Sequence, residues 1–389
     1  MNKIPKGFRA AAIHSGIKST DAEDITLIVA DEPCVAVGVY TKNQVVAAPV
    51  VLDRERTPAS NIRAVVVNSG NANACTGELG MRNAKRMTQL VAEAVGCAPE
   101  HVLVMSTGII GEQLPMDKIE AGIPEVSDQL GDSESHLVAA ARGIMTTDTK
   151  IKIASSSESD YSITGIAKGS GMIGPNMATM LATVMTDATL SLEQAQQILS
   201  KAVDRSFNSI NVDGHTSTND TVLLLSSGKG ETLSDEQLKT FTSEFESVCK
   251  NLAKQIVDDG EGATHLIEIS VTGAQSESDA RTIAEAIANS PLVKTAFAGN
   301  DPNWGRIVSA AGYAGPTIDV EGTSLKLNGT ELYRDGAPVE FDAEATSKGM
   351  QTNREVFVEL TVGDGAGSAT YWTCDLTHEY VTINAEYHT

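Results

Sequence analysis

Apolar residues in this chain recur at two periods, and the switches between them mark out elements. Residues 26–29 and 35–40 read as strands, and Ala64-Val-Val-Val-Asn68 as a buried one. Met81, Ala84, Met87, Leu90, Val91 and Ala94 then follow helical spacing, with Gly96 as the stop signal. Residues 102–106 return to strand. In the second half, Ser191 and Gln194 form a capping box ahead of Leu192, Ala195, Ile198, Leu199 and Ala202. Ser234 and Gln237 do the same for a longer helix with Leu238, Phe241, Phe245, Val248, Leu252 and Ile256 on one face. Residues 267–271 alternate as a strand, and 280–288 are helical, ending before Ser290-Pro291. Residues 356–360, 369–373 and 380–383 read as strands. Because strands and helices do not alternate strictly, the pattern predicts an α+β fold over a doubly wound parallel sheet.

The length of 389 residues suits two or three cores or one large unit. Aromatic residues make up only 4%, so any core rests on aliphatic side chains. Charge excludes more. With 29 Lys and Arg against 51 Asp and Glu, the net charge is −22, which repels nucleic acid and anionic membrane surfaces. The aliphatic run 45–52 is broken by Pro49 and falls short of the ~20 residues of a spanning helix. No stretch near Met1 has signal-peptide length. Five scattered cysteines fit reduced thiols, and with that a cytoplasmic location is expected. The seven histidines show no metal spacing, and no metal site is expected. Residues 155–160 read as a surface turn between two strands rather than a linker.

The most unusual stretch is Lys168-Gly-Ser-Gly-Met-Ile-Gly-Pro-Asn-Met-Ala-Thr-Met-Leu181. Gly169-x-Gly171-x-x-Gly174 matches a dinucleotide fingerprint in letters only. It sits mid-chain, Pro175 follows it, and no acidic residue stands about 20 positions on in a matching unit. Ala178-Thr179, ahead of an apolar strand, fits different chemistry. A threonine hydroxyl that attacks its own preceding carbonyl forms an ester, and water releases it. The new α-amine, with a pKa of about 7.7–8.0, can then act as the base that a lone threonine lacks. By spacing alone, an ordinary threonine at a strand start is the commoner case.

The stretch 168–181 resembles the self-processing segment of the ornithine acetyltransferase (glutamate N-acetyltransferase) family of arginine biosynthesis. Further matches lie along the chain in that family's order: Asn68-Ser-Gly-Asn-Ala-Asn-Ala-Cys-Thr-Gly77, Ser106-Thr-Gly-Ile-Ile-Gly111, Met145-Thr-Thr-Asp-Thr149 and Asp213-Gly-His-Thr-Ser-Thr-Asn-Asp220. Asp259-Gly-Glu-Gly-Ala-Thr264, Gly299-Asn-Asp-Pro-Asn-Trp-Gly-Arg306 and Asn384-Ala-Glu-Tyr-His-Thr389 complete the set.

This resemblance implies a layered sandwich of mixed sheets flanked by helices. It implies cleavage at Ala178-Thr179 into an α chain, 1–178, and a β chain, 179–389, which share one active site and assemble as α2β2. Thr179 would be the nucleophile of a ping-pong transfer of acetyl from N-acetylornithine to glutamate, releasing ornithine and then N-acetylglutamate. Thr107 and Gly108 match the oxyanion hole. Thr146, Lys168, Glu261, Asn384 and the terminal Thr389 match substrate-binding positions, with Glu261 also placed to relay a proton. No cofactor is implied; acetyl-CoA enters as a second acetyl donor in bifunctional members, which the segment 171–181 resembles more closely. The rival reading is an amidohydrolase or aminopeptidase using the same exposed threonine. Asn71, Asn73, Asn300, Asp301 and Asn303 suit hydrogen-bond networks or turns, and Trp304 suits core.

Overall fold

The computed structural model of the protein describes residues 2–156, 160–174 and 180–386. The chain begins with β1 (Phe8–Ile13), β2 (Ile25–Tyr40), α1 (Ala48–Arg56), β3 (Ala59–Asn71), α2 (Gly77–Val95) and β4 (Val102–Ile109). Helices α3 (Met116–Asp128) and α4 (Glu134–Gly143) lead to β5 (Lys152–Ser156), β6 (Ile163–Lys168) and β7 (Leu181–Thr186). Next come α5 (Leu192–Asp204), β8 (Ile210–Asn211), β9 (Thr221–Ser226), α6 (Asp235–Asp258) and β10 (Leu266–Ala274). Helices α7 (Glu277–Asn289), α8 (Pro291–Ala298) and α9 (Trp304–Gly312) precede β11 (Thr323–Leu327), β12 (Thr330–Arg334) and β13 (Ala337–Pro338). The described chain closes with α10 (Ala343–Thr352), β14 (Glu355–Val362), β15 (Gly367–Cys374) and α11 (His378–Glu386).

Two mixed sheets result, in agreement with the α+β reading. The first runs β4-β3-β2-β9-β7-β6-β5, with β1 also paired to β2. The second runs β13-β12-β11-β14-β10-β15-β8. In the first sheet, β7 and β9 lie side by side between β2 and β6. Strands from beyond residue 179 are thus hydrogen-bonded on both sides by strands from before it.

Strands β6, β7 and β9 are buried at every position, as expected where helices cover both faces. Side chains such as Ile28, Val65, Leu103, Met185 and Leu223 meet α4 on one face. On the other, Leu27, Val66 and Val104 pack with α2 and α3, and Val184, Val222 and Leu224 with α5 and α6. Helix α6 starts at the expected Ser234–Gln237 capping box and buries Phe241, Phe245, Val248, Leu252 and Ile256. Each such side chain contributes roughly 1.5–3 kcal/mol, far beyond any helix propensity, so packing holds this helix in place. The second sheet packs one face against α7, α8 and α9.

One element differs in kind from its sequence pattern. Residues 380–383 carry strand-forming side chains yet lie in helix α11, which buries none of its residues. Strand preference is a preference for a pleated, half-buried surface, and no sheet edge receives this segment. As a helix it brings Tyr380 and Asn384 one turn apart, and the Asn384 amide donates to the Tyr380 carbonyl at 3.0 Å.

Candidate active site

Strand β4 continues through Thr107 and Gly108 to Ile109, so these residues end a strand rather than follow one. Gly108 sits at φ +135° opposite the Gly70–Asn71 irregularity of β3. A Cβ there would collide with the Gly70 backbone. Only glycine fits.

Strand β6 ends at Lys168, which is 2% exposed and donates from Nζ to Thr107 Oγ1 at 3.1 Å. Burial lowers the Lys168 pKa, and the carboxylates of Asp148, Asp220 and Glu261 oppose that shift. Among the described ion pairs, none involves Lys168. Because Thr107 Oγ1 accepts from Lys168, its own proton is directed elsewhere, which suits a donor to an oxyanion.

Asp148 organises the neighbouring loop. Its Oδ1 accepts the Gly169 N–H at 2.6 Å and the Lys152 ammonium at 2.7 Å, and its Oδ2 accepts the Thr146 N–H at 3.0 Å. Burial would raise this carboxyl, but Lys152 and Lys168 hold it below the usual range. Lys152 reaches Asp259 Oδ2 at 2.6 Å, and Asp259 also accepts the Thr149 N–H at 3.0 Å. This buried Asp148–Lys152–Asp259 network therefore joins the Thr146 loop to the Glu261 loop.

Glu261 is half-buried, and its N–H donates to the Ser170 carbonyl at 2.8 Å. Gly171 packs so closely that any Cβ would overlap the Glu261 carboxylate. The exposed Asn384 amide donates to Glu261 Oε2 at 2.8 Å. Beyond it, Met172 donates its N–H to Asp213 Oδ2 at 2.7 Å, and Tyr380 donates its hydroxyl to the same oxygen at 3.3 Å. Burial raises the Asp213 carboxyl above its usual range, against these donors.

Thr107, Gly108, Thr146, Lys168, Glu261 and Asn384 all line one cleft, together with Ala72, Gly171 and the segment 217–219. Six positions expected to act together, from residue 107 to residue 384, do meet. Ala178, Thr179 and Thr389, with the neighbouring His388, lie outside the described residues. A larger hollow of about 1050 Å³ on the open face of the second sheet contains none of the expected site residues.

Among the described residues, the glycine pattern 169–174 follows β6 and holds no helical turn, and the Ile173 carbonyl accepts the N–H groups of Val212, Asp213 and Gly214. Its geometry is not that of a strand–turn–helix dinucleotide cradle. Asn71 and Asn73 do form a network: Asn71 Oδ1 accepts the Asn73 N–H at 2.8 Å, and Asn73 donates to the Gly80 carbonyl at 2.9 Å. Asn303 caps α9, and Trp304 stacks on Tyr333 at 5.3 Å, away from the cleft. Sequence reasoning missed Asp148 and Lys152 as site-building groups. The local sign was a lysine between Ile151 and Ile153 in a strand, four residues after an aspartate.

The ArgJ family model matches residues 9–389. The arginine biosynthesis bifunctional protein ArgJ of Rhodopirellula baltica is 49% identical over 395 residues, covering 99% of this chain and 96% of its own. The protein of the same name from Geobacter sulfurreducens is 47% identical, covering 99% of both. A solved chain of the ArgJ bifunctional protein from Bacillus halodurans matches with a TM-score of 0.51 and 39% identity, covering 53% of this chain and 97% of its own. By a family match over nearly its whole length, this chain belongs to the ArgJ family.

Proposed function

We propose that this protein is a glutamate N-acetyltransferase of arginine biosynthesis that works through Thr179 after cutting itself between Ala178 and Thr179. The observation that carries the reading is the Lys168–Thr107 hydrogen bond in a cleft shared with Gly108, Thr146, Glu261 and Asn384. The names of the relatives support it. The solved Bacillus halodurans chain is only about half as long as this one, which fits a divided polypeptide.

In maturation the Thr179 hydroxyl attacks the Ala178 carbonyl carbon. The C–N bond breaks, its nitrogen takes the hydroxyl proton, and water hydrolyses the resulting ester to an Ala178 carboxylate. In catalysis the freed α-amine accepts the Thr179 hydroxyl proton as Oγ attacks the acetyl carbon of N-acetylornithine. The tetrahedral oxyanion is stabilised by the Thr107 hydroxyl and the Gly108 N–H. Collapse passes the proton to the departing ornithine amine and leaves acetyl-Thr179. Glutamate then attacks through its neutral amine, regenerates the hydroxyl and leaves as N-acetylglutamate. Lys168 holds a substrate carboxylate as a point charge, while Glu261, braced by Asn384, pairs with an ammonium group or relays its proton. Acetyl-CoA serves as a second donor, in line with the word bifunctional in the relatives' names.

Segments 1–178 and 179–389 form one catalytic unit, since the interleaved β2, β9, β7 and β6 would hold the pieces together after a cut. Cytoplasmic location and an α2β2 assembly complete the reading; among the described residues no helix is long and apolar enough to cross a membrane. The test is release of ornithine from N-acetylornithine in the presence of glutamate, with N-acetylglutamate formed in equal amount. Thr179→Ala should abolish it. Transfer that survives this substitution contradicts the reading.

A further inference from the structure

Asp220 lies directly before β9 and has no exposed surface. Its Oδ1 accepts the Met180 N–H at 3.1 Å, and the Met180 carbonyl accepts the Thr221 N–H at 3.2 Å. Two consecutive residues therefore grip both backbone groups of Met180. The gripping segment is itself anchored. The Asp220 carbonyl accepts the Thr41 N–H at 2.9 Å, and the Asn219 amide donates to the Ala72 and Ser106 carbonyls at 2.7 and 2.8 Å. Since Ser106 precedes Thr107, Met180 is tied to the strand that presents the oxyanion donors.

The surroundings of Asp220 disfavour a charge on it. Burial raises its carboxyl well above the usual range, against weaker pulls from the Met180 N–H and the Lys168 charge. The hydroxyls of Thr41 and Ser217 lie near it, but Oδ2 has no partner in hydrogen-bonding geometry. Burial therefore disfavours the charged form of this carboxyl, while the Met180 N–H remains its hydrogen-bond donor. In either protonation state an oxygen remains to accept the Met180 N–H.

We propose that Asp220 is a positioning residue for the nucleophile: it fixes the amide that joins residue 179 to residue 180, and so orients Thr179 for self-cleavage. This rests on the reading of Thr179 as a self-released nucleophile. Asp53 offers a matched control. It too is fully buried and has an unpartnered Oδ2, but the one backbone N–H it accepts is that of Val104 in β4, at 2.9 Å, and not that of Met180.

The test follows cleavage of pulse-labelled full-length chain in cell-free translation, on denaturing gels, for wild type, Asp220→Asn, Asp220→Ala and Asp53→Ala. Thermal melting of each purified protein reports folding. Asp220→Asn keeps the acceptor oxygen and should cleave within about threefold of the wild-type rate. Asp220→Ala should be about ten- to a hundredfold slower. Asp53→Ala should melt earlier yet cleave at the wild-type rate. The proposal is overturned if Asp220→Ala cleaves like wild type, if Asp220→Asn is as slow as Asp220→Ala, or if Asp53→Ala is equally slow. An uncut wild type overturns the self-cleavage reading and this proposal with it; only that result affects all four proteins alike.

Discussion

The Lys168 ammonium donates to the Thr107 hydroxyl over 3.1 Å, in a wall where neither side chain is more than 4% exposed. The bond sets which way the threonine proton points. Replacing Thr107 with alanine removes the proposed oxyanion donor and takes from Lys168 its Thr107 acceptor. On processed enzyme, kcat for acetyl transfer should fall about 10²–10³-fold with little change in the KM for N-acetylornithine. Thr107→Ser should recover most of the rate. Equal activity of the alanine variant would remove Thr107 from the oxyanion hole.

The buried Asp148–Lys152–Asp259 network ties the Thr146 loop to the Glu261 loop. Lys152 is 1% exposed and lies between two carboxylates at 2.7 and 2.6 Å. Lys152→Met removes the cation that hydrogen-bonds to both. Urea denaturation should show a loss of about 3–5 kcal/mol. A loss below about 1 kcal/mol would show that water or rearrangement readily replaces the lysine.

Much of this architecture was legible in advance. The capping boxes at Ser191 and Ser234 form as expected, because their partners lie within one helical turn. The helical spacing around 81–94 corresponds to α2, and Gly96 closes it in the left-handed conformation. The two separate strands expected at 26–29 and 35–40 are one long β2, whose halves pair with different neighbours across an irregular middle. The 380–383 segment was misread because local preference carries no information about which sheet edges are free. Asp259 became visible as a site-building group only in three dimensions, since its partner Lys152 stands 107 residues away.

The link between the second sheet and α11 should respond to pH. His265 Nδ1 faces Asp375 Oδ2 and Nε2 faces the Met350 carbonyl, both at 3.2 Å, so both nitrogens face acceptors and the imidazolium fits best. The Asp375 hydrogen bond raises the His265 pKa, against partial burial. Its stabilising contribution is full below the unfolded value of about 6.5 and disappears as pH rises through the higher folded value. Burial opposes ionisation of Asp375, yet donors from His265 and Thr264 hold its pKa low, so its contribution is lost only in acid. The stability gap between wild type and His265→Gln, measured in urea, should therefore be larger at pH 6 than at pH 9. A gap that widens with pH would mean that the neutral ring is the form favoured by folding.

The acceptor distinguishes a transferase from a hydrolase built on the same threonine. The cleft is lined by a buried lysine, Lys168, and a carboxylate, Glu261, and the proposed transfer uses an amino acid as acceptor. Consumption of N-acetylornithine should depend on added glutamate. Consumption at the same rate without glutamate would identify water as the acceptor and the protein as an amidohydrolase.

In the proposed mechanism one threonine becomes the nucleophile when the chain cuts itself. Intact-mass analysis of the purified protein under denaturing conditions addresses this most directly. Two polypeptides, 1–178 and 179–389, are expected in equal amounts, with a single uncut chain for Thr179→Ala. A wild-type protein that remains one chain of 389 residues while transferring acetyl groups would contradict it.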